Sequence, residues 1–205
     1  MTAQRNHIKV FVASTVHDFQ YELDKIYELL DDNYGYSVLN SHKGTFLTDS
    51  SESNLTNCTN GVDECDVFIG FIRPTYGSGV LEDGGKSITH IEFDTAIKRR
   101  IPRFIMADFR VVFSRSLIRK ATIKLPDTEI SINSTNINFN DRNLMDVRCI
   151  RIYEEMIKDK IPPIDRKGNW VQEYRNFDDI RLYLESQFQH PERIQALIDK
   201  TNNLL

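Results

Sequence analysis

The sequence predicts an α/β domain with a flavodoxin/Rossmann-like open parallel sheet of four to five strands and a C-terminal helical extension. Three short, apolar runs are typical of strands buried on both faces, namely Ile8–Ala13, Val67–Ile72 and Phe104–Ala107. Segments with helical spacing alternate with these runs, which favours a parallel sheet with right-handed crossovers. The 205 residues, 40% of them hydrophobic, fit one domain over 1–125 with an extension over 126–205 packed on it.

Helical spacing and chain-breaking residues predict the remaining elements of the first half. Apolar residues recur every three or four positions after the first strand, Gly35 follows the first predicted helix, and Pro102 follows the helix that ends at Arg100. The predicted elements are a helix from about His17 to Asp31, a strand over Tyr36–Leu39, a polar loop from Ser50 leading into a short helix near Glu64, and a helix over Ile88–Arg100.

The second half gives weaker signals. Proline residues separate its segments, and apolar periodicity identifies the helices among them. The predicted elements are a helix over Val111–Ala121, a long loop or projecting hairpin over Pro126–Asn140, an amphipathic helix within Asn143–Lys160, a short edge strand over Gly168–Val171, and terminal helices over Asp178–Phe188 and Arg193–Leu205.

Composition and short motifs exclude several classes of function. A net charge of -4 and a pI near 5.8 give no basic field for nucleic acid. No apolar run could span a membrane, no secretory signal is visible, and three cysteines without a CxxC pair fit a reducing, cytoplasmic location. The histidines show no metal-ligand spacing, and neither GxGxxG nor a P-loop is present, so we predict no metal and no bound cofactor.

Two loops after predicted strands are candidate ligand-binding segments, since open parallel sheets bind ligands beyond the carboxyl ends of their strands. Ser14, Thr15 and Asp18 follow the first strand, where hydroxyls at a helix N-terminus either hold an anion or simply cap the helix. The second loop contains Arg73, Tyr76, Gly77 and Ser78. Its glycines allow close approach of a ligand and its tyrosine could stack on a base, although an ordinary surface loop has the same composition.

A third segment, from Ser87 to Glu92, opens the next helix. Thr89 and Glu92 match a capping box, in which the glutamate folds back on the start of its own helix. A carboxylate at this edge of the sheet is also placed to stabilise, or attack, the oxocarbenium-like centre that forms when an N-glycosidic bond breaks. Both interpretations of Glu92 remain open from the residues alone.

Three blocks resemble the signature of a bacterial family known only as a domain of unknown function. They are IKVFVASTVHDF, DECDVFIGFIRPTYGS and GKSITHIEFDTAIKRRIPRFIMA, within about 8 to 108, and they resemble the patterns VFVSSTxxDL, CDxFIGIIGxRYGS and SITxxEYxxAxxxxxP. The later GNWVQEYRNFDDI resembles the same family. The chain departs from the pattern at Ala13, at Arg73-Pro74-Thr75, and in the span from Gly79 to Lys86, which could cover a site as a lid.

That family is similar to TIR domains and to nucleoside 2-deoxyribosyltransferases, which act on N-glycosidic bonds of NAD or nucleosides through a glutamate early in a helix. The resemblance implies that Glu92 is catalytic, that the Ser14-Thr15 turn holds phosphate or ribose, and that Tyr76 packs on the base. It also implies a role in signalling or anti-phage defence, with assembly into a homo-oligomer or with a partner protein. The alternative is a non-catalytic nucleotide sensor or interaction module, which predicts Glu92 bonded to its own helix start and a crevice filled by side chains.

Overall fold

A five-stranded, all-parallel sheet forms the centre of the protein, as the sequence predicts. The computed structural model describes residues 7–79, 85–120, 122–125, 128–131 and 145–203. The strand order β2-β1-β3-β4-β7 changes direction between β1 and β3, the arrangement typical of flavodoxin-like folds. The strands of this sheet are β1 (Lys9–Ala13), β2 (Ser37–Leu39), β3 (Val67–Ile72), β4 (Arg103–Asp108) and β7 (Val171–Tyr174).

Helices cover both faces of the sheet and create two apolar layers. One layer packs α1, α6 and α7 against the sheet, and the other packs α2, α3, α4 and α5. The helices are α1 (Gln20–Tyr27), α2 (Asn54–Glu64), α3 (Ile88–Arg99), α4 (Phe109–Lys120), α5 (Arg148–Met156), α6 (Phe177–Phe188) and α7 (Pro191–Asn202). Among the described residues, none of these helices combines the length and the apolar content that crossing a bilayer requires.

The central strands hold α3 close to the sheet. All six residues of β3 are buried, which explains why its sequence is apolar throughout and does not alternate. A Cβ atom on Gly70 would lie 2.5 Å from Phe93 Cζ and 2.8 Å from Phe68 Cε1, so only glycine allows this approach. The position of α3, and with it that of Glu92, therefore depends on a glycine in the middle of a strand.

The first helix differs from its predicted bounds. The α-helix begins only at Gln20 and continues after Tyr27 as a π-helical segment over Glu28–Asn33, which still buries Leu29 and Leu30. A turn precedes the helix, with the Phe19 N–H donating to the Val16 carbonyl at 3.0 Å. The apolar spacing predicted the buried face correctly, but spacing does not report where helical hydrogen bonding starts.

The second half contributes structure to the same sheet. The predicted edge strand is present, but it begins at Val171, which is the last residue of the predicted range. It pairs in parallel with β4. The predicted loop or hairpin contains part of an antiparallel hairpin, β5 (Thr122–Leu125) with β6 (Thr128–Ser131), while 132–144 lies outside the described residues. Helices α6 and α7 bury Ile180, Leu184 and Ile194 in the main core.

Candidate functional site

A cavity of about 820 Å³ opens at the carboxyl ends of β1 and β3, where the strand order reverses. This is the place where open α/β sheets bind ligands, because loops diverge there and leave a crevice. Loops after β1, β2 and β3 and the first turns of α2 and α3 form its walls. The lining residues are Ser14, Thr15, Val16, His17, Ser41, Gly44, Phe46, Thr48, Asp49, Ser50, Glu52, Asn54, Asn57, Cys58, Thr75, Gly77, Ser78, Ile88, Thr89 and Glu92.

The loop after β1 places two buried hydroxyls in the cavity wall. Ser14 Oγ donates to the Thr15 carbonyl at 3.0 Å, whereas Thr15 Oγ1 is buried without a hydrogen-bond partner among the described residues. A buried hydroxyl without a partner costs about 1–3 kcal/mol, so water or a ligand is its natural partner. Neither residue caps α1, because that helix begins at Gln20, and the expected helix N-terminus for an anion is not at these hydroxyls.

Arg73 lies behind this loop and does not line the cavity. Its buried guanidinium donates to the backbone carbonyls of Thr15 (3.2 Å), His17 and Asp18 (3.1 Å), and it stacks on the Phe19 ring at 4.5 Å. Asp18 has a left-handed backbone, with φ of 61°, and also lies outside the cavity lining. The structure therefore gives Arg73 and Asp18 a role in shaping the loop, in place of the ligand contact that the sequence predicted.

The loop after β3 meets the loop after β1 at Gly77. This glycine has φ of 91°, and a Cβ atom there would lie 2.8 Å from Thr15 Cγ2, so the close approach needs glycine. Gly77 and Ser78 line the cavity as predicted, together with Thr75. The two loops form one continuous wall at the switch in strand order.

Glu92 lies in the cavity wall, and the predicted capping box is wrong. Ser87, itself fully buried, is the N-cap residue of α3, and its hydroxyl accepts from the His90 N–H at 3.2 Å. Glu92 is only 4% exposed, and burial raises the pKa of its carboxyl to about 8, while the nearby Cys58 thiol acts in the opposite direction. At neutral pH Glu92 is therefore mostly protonated, which is typical of carboxyl groups that transfer protons.

Tyr76 points away from the cavity into a separate buried cluster. Its hydroxyl lies 2.7 Å from His90 Nδ1, and His90 Nε2 lies 2.8 Å from a Glu155 carboxylate oxygen on α5. Burial lowers the pKa of His90, so the ring is neutral. Its Nε2–H donates a hydrogen bond to Glu155, and its Nδ1 accepts a hydrogen bond from the Tyr76 hydroxyl. Tyr76 is buried and lies outside the cavity lining, so the structure does not bring it to the position from which the sequence predicted stacking on a base.

The same cluster brings together three groups that could ligate a metal. Ligand atoms of His90, Asp94 and Glu155 lie within 4.8 Å of one another. The Lys86 ammonium group lies 2.7 Å from Asp94 and 3.7 Å from Glu155, so a side chain of the protein already supplies the positive charge there. Lys86, His90, Asp94 and Glu155 thus form one network of ion pairs and hydrogen bonds.

Sequence reasoning missed the contribution of α2 to the site. Asn57 is buried and fixes the neighbouring loop, because its amide accepts from the Asp49 N–H at 2.7 Å and donates to the Asp49 carbonyl at 3.0 Å. Cys58 lines the cavity beside Glu92, and burial, followed by the effect of Glu92, raises the pKa of its thiol to about 12. The strand order would have revealed this contribution, because β1 lies between β2 and β3 and the helix that connects them, α2, therefore starts beside the switch in strand order.

Comparison with known proteins gives a family and no characterised relative. The sequence profile of the family described as "Domain of unknown function (DUF4062)" matches residues 9–189, most of the chain. No curated protein matches the chain. The resemblance to a domain-of-unknown-function family is thus confirmed, while the likeness to TIR domains and deoxyribosyltransferases stays a prediction. The chain belongs to the DUF4062 family.

Proposed function

We propose that this protein is an enzyme that cleaves, or transfers at, the N-glycosidic bond of a nucleotide or nucleoside. The observation that supports this proposal is Glu92, a buried carboxyl group with a raised pKa in the wall of a cavity at the switch in strand order. Strongly shifted groups in a cleft are typical of active sites. The cavity volume of about 820 Å³ lies within the range of small-molecule sites and is sufficient for a nucleoside.

In the proposed reaction the bond between the anomeric carbon and the base nitrogen breaks, and its electron pair goes to the base. Protonated Glu92 gives its proton to the departing base and becomes a carboxylate, which then stabilises the positive charge on the sugar. Water, or a second base in a transferase, adds to the anomeric carbon and returns a proton to Glu92. Thr15 lines the cavity, and a rotation of its side chain would bring the hydroxyl, which has no protein partner among the described residues, to the sugar.

The test measures free base and nicotinamide by chromatography. Concentrated protein is incubated with NAD and with a panel of ribonucleosides and 2′-deoxyribonucleosides, and Glu92→Gln is compared with Glu64→Gln. We expect product from the unaltered chain, a loss of about 100-fold or more in Glu92→Gln, and unchanged turnover in Glu64→Gln. Glutamine matches the shape of a protonated Glu92, and Glu64 is an exposed residue of α2 that does not line the cavity.

The competing function is a non-catalytic sensor or interaction module. It predicted a Glu92 carboxyl bonded to its own helix start and a crevice filled by side chains, and the described residues show neither arrangement. For that reason we place the enzyme first, acting in cytoplasmic signalling or anti-phage defence, as a homo-oligomer or with a partner protein. Absence of product from folded, concentrated protein, with ligand binding retained, would favour the sensor.

A further inference from the structure

Two carboxylates lie in the exposed part of the cavity lining. Asp49 and Glu52 are both exposed lining residues in the loop that leads into α2. The Ser51 hydroxyl donates to Asp49 Oδ1 at 2.6 Å and the Ser51 N–H donates at 2.8 Å, and these hydrogen bonds hold the pKa of Asp49 below its usual value. Asp49 is therefore ionised throughout the physiological range. The exposed carboxylates of Asp49 and Glu52 therefore line the same cavity as the buried Glu92.

Lysine and arginine side chains of the neighbouring segments have partners outside the cavity. Among the described lining residues none is lysine or arginine. The Lys43 ammonium lies 2.6 Å from Asp24, and Lys86 lies 2.7 Å from Asp94. Arg73 donates to the backbone carbonyls of the loop after β1. Among the described lining residues, a phosphate group would thus meet carboxylates and neither lysine nor arginine, and the histidine there, His17, lies 2.8 Å from the Asp18 carboxylate.

The helix N-termini beside the cavity are already capped. Asn54 of α2 and Thr89 of α3 line the cavity, so both helix starts lie next to it. The Ser53 hydroxyl accepts from the Thr56 N–H at 3.0 Å, as Ser87 does for His90. Each cap uses one of the donors that would otherwise attract an anion. These helix starts therefore compensate poorly for the two exposed carboxylates of the cavity lining.

We infer that the site takes an unphosphorylated nucleoside, and that Asp49 and Glu52 impose this choice by repelling phosphate groups. This inference rests on the proposed function and narrows its substrate class, placing nucleosides ahead of NAD and nucleotides. Charged groups that face a ligand determine partner choice mainly through such like-charge repulsion. Asp49 and Glu52 are then specificity-determining residues outside the bond-breaking step.

The chemistry at Glu92 agrees with the same substrate class. Nicotinamide leaves NAD as a neutral molecule without taking a proton, because its ring nitrogen is positively charged before the bond breaks. The base of an ordinary nucleoside must gain a proton as it leaves, so its cleavage benefits from a general acid. A buried Glu92 that is protonated at neutral pH is such an acid.

Calorimetric titration of the full chain at low salt tests the inference. The probes are adenosine, guanosine, cytidine, uridine and thymidine, each beside its 5′-monophosphate, and nicotinamide riboside beside NAD. We expect the nucleoside that binds best to bind roughly tenfold more tightly than its phosphorylated counterpart. The gap should narrow at 0.5 M salt and in the double variant Asp49→Asn/Glu52→Gln, and it should persist in Glu64→Gln, which removes a charge of α2 away from the cavity.

The outcomes separate this inference from the proposed function. Equal or tighter binding of the phosphorylated member of the best pair, with cleavage of that ligand, would overturn the inference and leave the proposed activity standing. Preferred binding of a nucleoside without turnover would support the inference and contradict the proposed activity. A discrimination that survives unchanged in the double variant would show that Asp49 and Glu52 do not impose it, and a chain that binds no probe would overturn both.

Discussion

His90 and Glu92 are both buried near the start of α3 and separated only by Ile91, yet their surroundings differ. Residues at this spacing project about 200° apart around a helix, so His90 faces α5 while Glu92 faces the cavity. His90 has a partner at each ring nitrogen, and Lys86 and Asp94 extend its network. Glu92 has the Cys58 thiol beside it, and burial raises the pKa of its carboxyl.

The comparison separates two uses of a buried titratable group. Burial alone would raise the pKa of Glu155, but the hydrogen bond from His90 and the charges around it lower that pKa, so the network holds its charges in stable pairs. None of the described cations compensates Glu92, and its burial costs stability. A titratable group kept at such a cost in a cavity wall is typical of a functional site.

Removing the imidazole should give the largest loss of stability among the substitutions considered. His90→Leu should destabilise the fold by about 2–3 kcal/mol, because the Tyr76 hydroxyl and the Glu155 carboxylate lose their buried partner. Glu92→Gln should not destabilise the fold at pH 7 and should raise its stability, because glutamine matches the shape of the protonated carboxyl and removes the cost of keeping that proton on folding. Urea denaturation measures both, and equal losses in the two variants would erase the distinction drawn between the residues.

The pH dependence of stability should isolate Glu92. Its pKa is about 8 in the fold against 4.5 in the unfolded chain, so between these values the unfolded state releases a proton that the folded state keeps. Stability therefore falls as the pH rises through this window, by at most about 1.4 kcal/mol per pH unit, and levels off above it. Glu92→Gln should remove this contribution, and parallel stability curves for the two proteins would refute the shifted pKa.

Tyr76→Phe should change stability less than His90→Leu, and it tests whether Tyr76 belongs to the His90 cluster or to the cavity. Loss of the hydroxyl removes one buried hydrogen bond to His90, and we expect a cost of about 1 kcal/mol in thermal or urea unfolding. Ligand affinity should stay within twofold of the unaltered chain, because Tyr76 does not line the cavity. A large loss of affinity would instead restore the base-stacking role that the sequence predicted for it.

The smallest stability change is expected at the cavity wall itself. Thr15→Val replaces a buried hydroxyl that has no protein partner among the described residues, so stability should stay constant or rise by up to about 1 kcal/mol. Ligand affinity measured by titration should fall several-fold, since the ligand loses a hydrogen-bonding group. A clear loss of stability would mean that the hydroxyl is satisfied within the protein.

Much of the site could be predicted because strand ends are visible in the sequence. Apolar runs fix β1 and β3, so the segments after them were identified as candidates, and Ser14, Thr15, Gly77, Ser78 and Glu92 do line one cavity. Arg73 and Tyr76 belong to the same segment but turn elsewhere, because Arg73 satisfies backbone carbonyls and Tyr76 satisfies His90. Residue type and position along the chain do not report the direction of a side chain in a loop.

The sequence by itself determined the class of fold and the central strands, because burial on both faces of a parallel sheet requires uninterrupted apolar runs. It also determined the family, through the three sequence blocks. Tertiary structure alone decided which polar groups are paired. It brought α2, with Asn57 and Cys58, to the cavity and made Ser87 the N-cap residue of α3. It also buried Glu92 where none of the described cations compensates its charge. Those outcomes depend on contacts between residues distant in the chain, where the electrostatic environment of each group is set.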